Sequence, residues 1–505
     1  MSEEDDGPGL IACTVERRGR FLVAAPFFAD GQQLALGRRS AQAVEAGELV
    51  VVEQSGGSAR VVERLGSPEH IDHVLRALLQ ERALAREWPQ VALREAREAS
   101  RAGEIETRRD DLLELEAITI DPPTARDFDD AISIEPDGDG VRVWVHIADV
   151  ASYVKPGGAL DAEAQRRTCS VYVPGSVEPM LPLALSADAC SLRPGEVRRV
   201  VSVDLRIAAD GKPGAPRPRR ALIRSRARLS YDEAHEVLAG RRHHPQGKLL
   251  ARADALARDL RARRRARGAF SLAPRELSFE VADGRVVDAR WDEEPRAHAL
   301  VEELMLLANE AAGGLLARAR RPALYRVHDH PKHDALVALA DRLQALGLPV
   351  APLPERADGP AASLVVSRQA ELLEPIVRAR PAAREAFGTL LLRTLQLARY
   401  DPVNTGHAAL ASPAYVHFTS PIRRYPDIVV HRALCALASL GEEAPRARDL
   451  PELALHCSRR EREAADAERR ADAICLAFLL QDRLRRDGWL RTFDGVVTGL
   501  IGAGL

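Results

Sequence analysis

The stretch TIDPPTARDFDDAI, residues 119–132, constrains the fold more than any other part of this sequence. It lies between the apolar runs LEAITI and AISIE, which have the alternation and β-branched content of strands. Carboxylates this close together repel one another at neutral pH unless they point into water or a cation holds them. Hard oxygen ligands without a nearby Cys or His favour Mg²⁺ or Mn²⁺. The acidic residues are Asp121, Asp127, Asp129 and Asp130.

A solvated acidic loop is the simpler interpretation of a bare D-x-D-D pattern. Two features favour a metal site. Asp121 ends an apolar strand, which would hold its side chain rigidly. Phe128 and the Pro122-Pro123 pair are unusual in a loop that serves only solubility.

Composition limits the classes of protein that this chain can be. Its 505 residues predict about three or four domains, and acidic and basic residues nearly cancel, 74 against 72. Nucleic-acid binding would therefore need locally clustered charge. The six cysteines form no C-x-x-C motif, so neither a zinc site nor a disulfide framework is predicted. The acidic start is unlike a signal peptide and no apolar run approaches roughly 18 residues, so we expect a cytoplasmic protein without a membrane span.

Hydrophobic periodicity divides the chain into six segments. Short β-type runs separated by glycine-rich turns predict a small barrel of the OB or cold-shock type. A charged helical region follows, then a mixed α/β region with the acidic stretch, and then a long helix with charges of alternating sign. The segments are a disordered tail at 1–9, the barrel at 10–66, a helical connector at 67–110, the mixed domain at 111–440, its helical continuation at 441–487 and a glycine-containing strand pair at 488–505.

A second dense stretch is GHAALASPAYVHFTSPIRRYPDIVVHRALC, residues 406–435. A proline after two hydroxyl residues predicts the start of a helix at Pro421. A helix N-terminus beside Arg423 and Arg424 would suit a phosphate group. The alternative is a structural network in which these arginines pair with Asp427.

The order of these motifs resembles that of the ribonuclease II / ribonuclease R family. The acidic stretch is followed by HIADV, SVYVPGSVEPMLP, LVEELMLLAN, LYRVH and HFTSPIRRYPDIVVHR, with the family's spacing over roughly residues 108–440. The resemblance implies an α+β multidomain fold with an N-terminal OB/cold-shock-like barrel, a mixed α/β RNB catalytic domain and a C-terminal S1 barrel of the OB type. The family often carries two N-terminal cold-shock domains, and this chain has room for one. Because FDGVVTGLIGAGL is similar to the start of an S1 domain, we expect residues 488–505 to form only an incomplete, truncated barrel.

The resemblance implies processive hydrolysis of single-stranded RNA from its 3′ end to 5′-mononucleotides. Asp121, Asp127 and Asp130 match the family's metal-holding positions. Asp129 matches the aspartate most closely tied to turnover, which is either a ligand of the second metal or the group that positions the water. Two-metal catalysis with Mg²⁺, or Mn²⁺ in its place, would activate a water and relieve charge on the leaving oxygen. We expect a monomer whose partner is the 3′ end of single-stranded RNA.

The resemblance also implies RNA contacts. Arg423 matches the family's arginine at the scissile phosphate, and Arg424 is a weaker candidate. Tyr172, in SVYVPG, matches the aromatic residue that packs on a base at the 3′ end. Phe270, in RGAFSL, is placed at the opposite wall of a base clamp by a looser match. Core packing is the alternative for both aromatic residues.

The glutamate pair in LVEELM is the remaining candidate for an RNA contact. One of Glu302 and Glu303 is expected to contact the terminal nucleotide or a sugar hydroxyl. The alternative for each is an ordinary surface charge on a helix.

Two other functions use the same features. A catalytically inactive RNB-domain RNA-binding protein or translational regulator usually lacks one or more of the aspartates, and all four are present here. A metal-dependent phosphatase or DNA nuclease could use the same carboxylates. The sequence also leaves open whether structured duplexes are digested, as by ribonuclease R, or stop the enzyme, as with ribonuclease II. The YRVHD and TSPIRRYPD forms favour the R type.

Overall fold

The computed structural model describes residues 9–55, 58–84, 87–101, 109–270, 275, 277–291 and 296–497. A small barrel and a helical connector come first, followed by a mixed domain built on a larger closed sheet and by a long C-terminal helix. Within the described part of the chain, no helix is both long enough and apolar enough to cross a membrane.

The N-terminal strands close into a five-stranded barrel. Its elements are Leu10–Arg18 (β1), Phe21–Pro26 (β2), Leu34–Leu36 (β3), Arg38–Gln42 (α1), Leu49–Ser55 (β4) and Ser58–Gly66 (β5). The strand order β1-β2-β3-β5-β4 closes through β1–β4 pairing, which gives an OB-type barrel. Val50 and Val52 point into the barrel, whereas Leu49 and Val51 face the next helix. Both faces of β4 are therefore buried, which explains its continuous apolar run.

Two helices connect the barrel to the mixed domain, Ile71–Glu81 (α2) and Gln90–Arg101 (α3). Ile71 and Leu78, on one face of α2, are buried against the long C-terminal helix. Val74 faces the barrel. Because α2 has apolar residues on two sides, it joins two hydrophobic cores and is more than a solvated spacer.

The remaining elements build the mixed domain and its helical extensions. The strands are Asp110–Asp111 (β6), Ala117–Asp121 (β7), Asp130–Asp137 (β8), Gly140–Ala148 (β9), Val171–Val173 (β10), Ser176–Glu178 (β11), Val197–Ile207 (β12), Arg217–Ser230 (β13), Leu277–Ala282 (β14), Arg285–Trp291 (β15), Tyr325–Val327 (β16) and Arg399–Asp401 (β17). The helices are Ala159–Arg167 (α4), Tyr231–Leu238 (α5), Gly247–Ala266 (α6), Arg296–Arg318 (α7), His333–Ala345 (α8), Gly359–Ala379 (α9), Ala383–Leu392 (α10), Tyr425–Leu437 (α11) and Leu450–Asp487 (α12).

The central sheet has the order β12-β9-β8-β7-β13-β6, and β12 also pairs with β13. This extra pairing joins β7, β8, β9, β12 and β13 into a ring. Ile132, Val145 and Val203 form one row across three strands and pack toward α6 and α7. His146, on the opposite face, is fully buried, and burial lowers its pKa to about 3. This histidine therefore remains neutral and structural.

The register of β7 and β8 positions the acidic stretch. The two strands pair only at Ile118 and Ile132, and they diverge from there toward Asp121 and Asp130. On its other side, β7 runs parallel to β13, with Asp121 opposite Ser230. The acidic residues therefore lie at the opening between the diverging strands β7 and β8, and the pairing of β7 with β13 fixes the position of Asp121.

Helix α11 begins at Tyr425, so the predicted start at Pro421 is wrong. The Arg424 amide donates to the Ser420 carbonyl at 2.9 Å, which makes residues 421–424 a turn before the helix. Pro426 lies in the first helical turn, where its missing N–H costs nothing.

The C-terminal strand pair predicted for residues 488–505 is absent from the described residues of that segment. Residues 488–497 follow α12 as turn and coil without strand pairing. Residues 498–505 lie outside the described residues, as do residues 1–8, on which the predicted tail falls.

Candidate active site

The loop between β7 and β8 has a fixed shape that does not depend on its carboxylates. The hydroxyl of Ser191 accepts the Phe128 amide at 3.1 Å and donates to the Arg126 carbonyl at 2.8 Å. The Leu192 amide donates to the Phe128 carbonyl at 3.0 Å. Phe128 itself is buried. The side chain in the middle of D-F-D-D is therefore an anchor that orients the acidic residues around it.

Arg228, on β13, holds the same loop from its other end. Its guanidinium donates to the Pro122 carbonyl at 2.5 Å and lies 5.5 Å from the centre of the Phe128 ring. The Pro122-Pro123 pair prevents β7 from continuing as a paired strand, because proline has no amide to donate. The chain therefore leaves the sheet directly after Asp121.

The four aspartates occupy different depths in this loop. Asp121 and Asp129 are buried, whereas Asp127 and Asp130 are half-buried. The Oδ2 atom of Asp121 is buried without a hydrogen-bond partner. Asp129 Oδ1 accepts the Ile422 amide at 2.8 Å. An unsatisfied buried carboxylate oxygen is costly, and it indicates that a further partner belongs at Asp121.

Burial destabilises the ionised forms of Asp121, Asp129 and Asp130, and neighbouring carboxylates add to this at Asp121 and Asp129. Burial, and then the charge of Asp130, raises the pKa of Asp121. Burial also raises the pKa of Asp129 and that of Asp130, and the nearby Arg423 opposes both shifts. The site therefore has an excess of negative charge that Arg423 only partly balances.

This chemistry fits a divalent cation. Oxygen atoms are the ligands that Mg²⁺ and Mn²⁺ prefer, and an added positive charge would relieve the repulsion and satisfy Asp121 Oδ2. Within the described residues, no three Asp, Glu, His or Cys side chains already converge closely enough to enclose an ion. The carboxylates therefore define the region of a metal site rather than a finished coordination sphere.

The second dense motif lies directly against the acidic loop. The Nε atom of Arg423 is 4.0 Å from Asp129 Oδ2, and its Nη2 donates to the Ser420 hydroxyl at 3.3 Å. The Arg423 side chain is 46% exposed, so part of its guanidinium faces solvent beside the carboxylates. This is a suitable position for contact with a phosphate group.

Arg424 has a different environment. Its Nη2 donates to Asp427 Oδ1 at 2.7 Å, and Asp427 is completely buried. The Ser420 amide donates to the same carboxylate oxygen at 2.8 Å. Arg424 therefore takes part in the structural pairing around Asp427 that the sequence left open as an alternative.

Tyr172 lies on the short hairpin β10–β11 and faces the acidic loop. Its hydroxyl donates to Asp127 Oδ2 at 3.3 Å, and its ring remains 38% exposed. The Tyr172 amide donates to Glu468 Oε1, on α12, at 2.8 Å. Tyr172 and Glu468, together with Arg423, Arg424 and Glu461, line a cavity of about 190 Å³. The cavity extends from the exposed Tyr172 to the Arg423 guanidinium.

The other predicted RNA contacts lie elsewhere. Phe270 is half-buried and packs against the cluster of α8, α9 and α10. Glu303 is buried, and its carboxylate accepts the Arg264 Nε at 3.2 Å. Glu302 is exposed, with its carboxylate 3.8 Å from Arg264. Because Glu303 is occupied by an internal ion pair, the predicted glutamate contact narrows to Glu302.

Tyr231 and Glu468 also belong to the site, and neither was predicted from the sequence. Tyr231 follows Ser230, the register neighbour of Asp121, and its pKa is raised by burial and then by Asp130 and Asp121. The pattern SYDE at 230–233 forms a capping box, a local signal that could have placed Tyr231 at the start of α5. No local signal marks Glu468, which meets Tyr172 only through the tertiary fold.

Comparisons with known proteins agree with this architecture. A family model described as the RNB domain matches residues 109–439, which contain both the closed sheet and the acidic loop. Ribonuclease R of Aquifex aeolicus is 32% identical over 533 residues, covering 98% of this chain and 72% of the relative. Ribonuclease R of Escherichia coli is 35% identical over 473 residues, covering 88% of this chain and 55% of the relative. The chain belongs to the ribonuclease II / ribonuclease R family of RNB-domain proteins, as the sequence motifs indicated.

Solved structures show the same fold. The ribonuclease R of Mycoplasma genitalium, in complex with ribose-methylated single-stranded RNA, matches with a TM-score of 0.82 at 26% identity, covering 94% of this chain and 77% of that chain. Yeast Ssd1, described as a pseudonuclease, matches with a TM-score of 0.67 at 20% identity and 92% coverage of this chain and 60% of that chain. The fold thus occurs with different activities. The chain spans about half the length of several of its curated relatives, 55% in the case of Escherichia coli.

Proposed function

We propose that this protein is a divalent-metal-dependent exoribonuclease that degrades single-stranded RNA from the 3′ end to 5′-mononucleotides. One observation carries the proposal: Asp129 accepts the Ile422 amide and lies 4.0 Å from the Arg423 guanidinium. Carboxylates suited to a cation and a guanidinium suited to a phosphate are thereby neighbours. Hydrolysis of a phosphodiester needs both kinds of group at one place.

RNA as the substrate is supported by the relatives and by the cavity. The related proteins are named ribonuclease R, and one of them was solved with single-stranded RNA. Tyr172 offers an exposed ring beside the cavity, and stacking on such a ring tolerates any base. Exposed Glu302 and half-buried Phe270 remain proposed contacts for the terminal nucleotides. We assign Glu303 a structural role through its ion pair with Arg264, and Arg424 a structural role through its pairing with Asp427.

Each residue of the site has a distinct proposed task in the reaction. Asp121, Asp127, Asp129 and Asp130 would hold Mg²⁺, or Mn²⁺. Such ions, when bound, supply an activated water and offset charge on the leaving oxygen. Arg423 would contact a non-bridging oxygen of the scissile phosphate, for which a planar guanidinium fork is better suited than an ammonium. Tyr172 would hold the base at the 3′ end, and the loop contacts of Ser191 and Arg228 would keep the carboxylates in place.

The proposed domain organisation keeps the segments predicted from the sequence. The OB-type barrel at 10–66 would contribute to RNA binding, with the connector at 67–110 between it and the catalytic domain at 111–440. The segment 441–487 adds α12 to the site through Glu468. We retain the assignment of residues 488–505 to an S1-type domain as a proposal.

A single assay tests this function. Single-stranded RNA labelled at its 5′ end, incubated with the protein and Mg²⁺, should shorten progressively from the 3′ end on a denaturing gel. EDTA should stop the reaction, and Mg²⁺ or Mn²⁺ in excess should restore it. DNA of the same sequence is the substrate control. RNA binding without shortening would contradict the proposal and indicate an inactive RNA-binding regulator.

A structured substrate separates the two behaviours known in this family. A hairpin with a 3′ overhang would be digested through the duplex by a ribonuclease R type of enzyme. It would be trimmed only to the base of the duplex by a ribonuclease II type. We propose the R type, because the curated relatives above are named ribonuclease R.

A further inference from the structure

Thr168 has a backbone conformation that β-branched residues rarely adopt. It follows the last residue of α4 and has φ +63° and ψ −41°. Five other non-glycine residues in the described part of the chain have positive φ, and none of those five is β-branched. For a β-branched residue, positive φ is a genuine outlier that calls for an explanation.

The conformation is that of a γ-turn. The Cys169 amide donates to the Arg167 carbonyl at 2.8 Å, a hydrogen bond between residues i and i+2. With positive φ and negative ψ at its centre, this is the rare and strained form of the turn. Strain of this kind persists only where the surrounding structure fixes it, and it is concentrated at functional sites.

Thr168 is fixed by its own polar groups. Its amide donates to the Ala164 carbonyl at 2.8 Å, and its hydroxyl donates to the Gln165 carbonyl at 2.7 Å. Its carbonyl accepts the amide of Tyr425, the first residue of α11, at 2.8 Å. The side chain is buried, with the residue only 1% exposed. Thr168 therefore links the end of α4 to the start of α11, in addition to the contact of Asp161 with Tyr425.

The turn joins the two segments that carry Tyr172 and Arg423. Two residues after Thr168, the Ser170 amide donates to the Arg423 carbonyl at 3.0 Å. Tyr172 follows Ser170 by two residues on β10. The backbone path from the aromatic ring to the guanidinium is therefore short, and the hydrogen bond between Thr168 and Tyr425 lies directly beside it.

We infer that Thr168 is a positioning residue that sets the spacing between Tyr172 and Arg423. The inference rests on the proposed function, in which these two side chains hold a base and the scissile phosphate of the same RNA strand. Thr168 lines the same cavity as Tyr172 and Arg423, and it would act on them through the backbone that its hydrogen bonds fix. A relaxed turn would misalign the phosphate while most of the RNA contacts remain, so catalysis should suffer more than binding.

The variant Thr168→Gly tests this inference. Glycine adopts positive φ without strain but loses the side-chain contacts that fix the turn. We expect a folded protein with a melting temperature near that of the wild type. Its kcat should fall by at least about 10-fold, whereas KM for a single-stranded RNA should change by less than about threefold. Its final products should become longer, as expected for loss of the Tyr172 contact.

Two further variants serve as controls. Thr168→Ser keeps the hydroxyl that donates to Gln165 and should recover most of the kcat. Ser439→Gly is the matched control, because Ser439 also has positive φ just after a helix but is exposed and outside the site. It should have the wild-type kcat and products. If Thr168→Gly does not fold, Thr168→Asn replaces it, since Asn adopts positive φ more readily than Thr.

A double variant separates positioning from a general structural role. If Thr168 acts through Tyr172, adding Tyr172→Ala to Thr168→Gly should lengthen the products no further than Tyr172→Ala alone. Wild-type kcat and products in Thr168→Gly would overturn the inference. Additive lengthening in the double variant would also overturn it.

Hydrogen exchange distinguishes failure of this inference from failure of the proposed function. The amides of Ser170 and Tyr425 should exchange at least about 10-fold faster in Thr168→Gly than in the wild type, whether or not the protein cleaves RNA. Unchanged exchange at both amides would overturn the inference. An inactive wild type with accelerated exchange in the variant would overturn only the proposed function.

Discussion

Neighbouring residues of the same type have different environments in this protein. Arg423 is half-exposed beside Asp129, whereas Arg424 is paired with the buried Asp427. In the same way, Glu302 is exposed and Glu303 is buried against Arg264. The two members of each pair are adjacent in the sequence, and only the tertiary contacts determine which of the two side chains is exposed to solvent. Functional substitutions should therefore be chosen by environment and not by motif.

Asp129→Asn should abolish hydrolysis while leaving RNA binding nearly intact. The amide oxygen of Asn can still accept the Ile422 amide, so the loop keeps its shape, but the charge that a cation requires is lost. We expect turnover to fall by at least ~10²-fold, the scale for removing one group that stabilises transition-state charge. Single-turnover cleavage and fluorescence anisotropy measure the two quantities. Asp137→Asn, in the β8–β9 hairpin, is the control and should cleave RNA at the wild-type rate. Substantial turnover by Asp129→Asn would contradict the assignment of Asp129 to the catalytic site.

Tyr172→Ala should lengthen the final products without abolishing cleavage. Base stacking on an aromatic ring is worth about 1–3 kcal/mol, so its loss should release the 3′ end before the last steps. Tyr172→Phe keeps the ring, loses only the hydrogen bond to Asp127, and should give wild-type products. Denaturing gels at nucleotide resolution make the comparison. An unchanged ladder in Tyr172→Ala would exclude the stacking role.

The acidic residues were accessible to sequence reasoning because they are local. All four lie within ten positions of one loop, so their clustering is visible in the sequence itself. Tyr231 and Glu468 were not accessible, since they reach the site from β13–α5 and from α12 through the fold. The S-x-x-E capping pattern could have located Tyr231, but nothing in the sequence pairs position 468 with position 172.

At the level of elements, the start of α11 shows how tertiary contacts override a local pattern. The sequence HFTSPIRRYPD contains two prolines, each suited to a first helical turn. The Ile422 amide donates to Asp129, and the Arg424 amide donates to the Ser420 carbonyl. Because of these two hydrogen bonds, the residues after Pro421 form a turn. The helix begins four residues later. That delay leaves Arg423 in the turn, with its side chain directed toward the carboxylates.

Arg424→Ala and Arg423→Ala should separate stability from activity. Removing Arg424 leaves Asp427 buried without its ionic partner, which should destabilise the protein by about 3–5 kcal/mol. Removing half-exposed Arg423 should change the melting temperature little but reduce kcat strongly. Thermal unfolding and steady-state cleavage, measured on both variants, provide the test. Equal loss of stability in the two variants would contradict the distinction drawn between them.

At the level of the whole molecule, Asp149 joins distant parts of the chain. It is completely buried after β9, 2.7 Å from the Arg109 guanidinium and 2.9 Å from that of Arg220 on β13. Arg220 also pairs with Glu442, which follows α11. Burial alone would raise the pKa of Asp149, but Arg220 and Arg109 together lower it. The charge at Asp149 therefore stabilises the packing of the sheet against both flanking segments.

This network predicts a specific dependence of stability on pH. Because the pKa of Asp149 is lowered in the folded protein, its contribution is present above the unfolded value of about 3.9 and is lost as pH falls through the lower folded value. Asp149→Asn should cost about 3–5 kcal/mol at pH 7 and should weaken the acid-induced loss of stability below about pH 4. Thermal unfolding from pH 3 to pH 7 tests this.

Asp139→Asn is the matched control, because its 71% exposed carboxylate pairs with Arg206 at the surface. It should change stability by less than about 1 kcal/mol. An Asp149→Asn variant with the wild-type acid response would show that the buried pair contributes nothing to the pH dependence.

The sequence predicted which domains the chain forms, but it did not predict that the central sheet of the mixed domain closes into a ring. Alternating apolar residues and glycine turns predicted an N-terminal barrel and a mixed region, and both are present. The pairing of β12 with β13, which turns the central sheet into a ring, depends on contacts between strands and leaves no pattern within either strand. Conversely, a local pattern of apolar residues and glycines predicted a strand pair near the C-terminus, and residues 488–497 form no strand.

The hydrogen bond from the Ile422 amide to Asp129 spans 293 positions of sequence. During synthesis, the acidic loop leaves the ribosome long before residue 422 does, and domains generally fold only once their chain has emerged. A nascent chain that already displays all four aspartates therefore still lacks the contact that orients Asp129 toward Arg423. If the chain cleaves RNA as proposed, the nascent protein would therefore be unable to attack the messenger that encodes it until residue 422 has emerged.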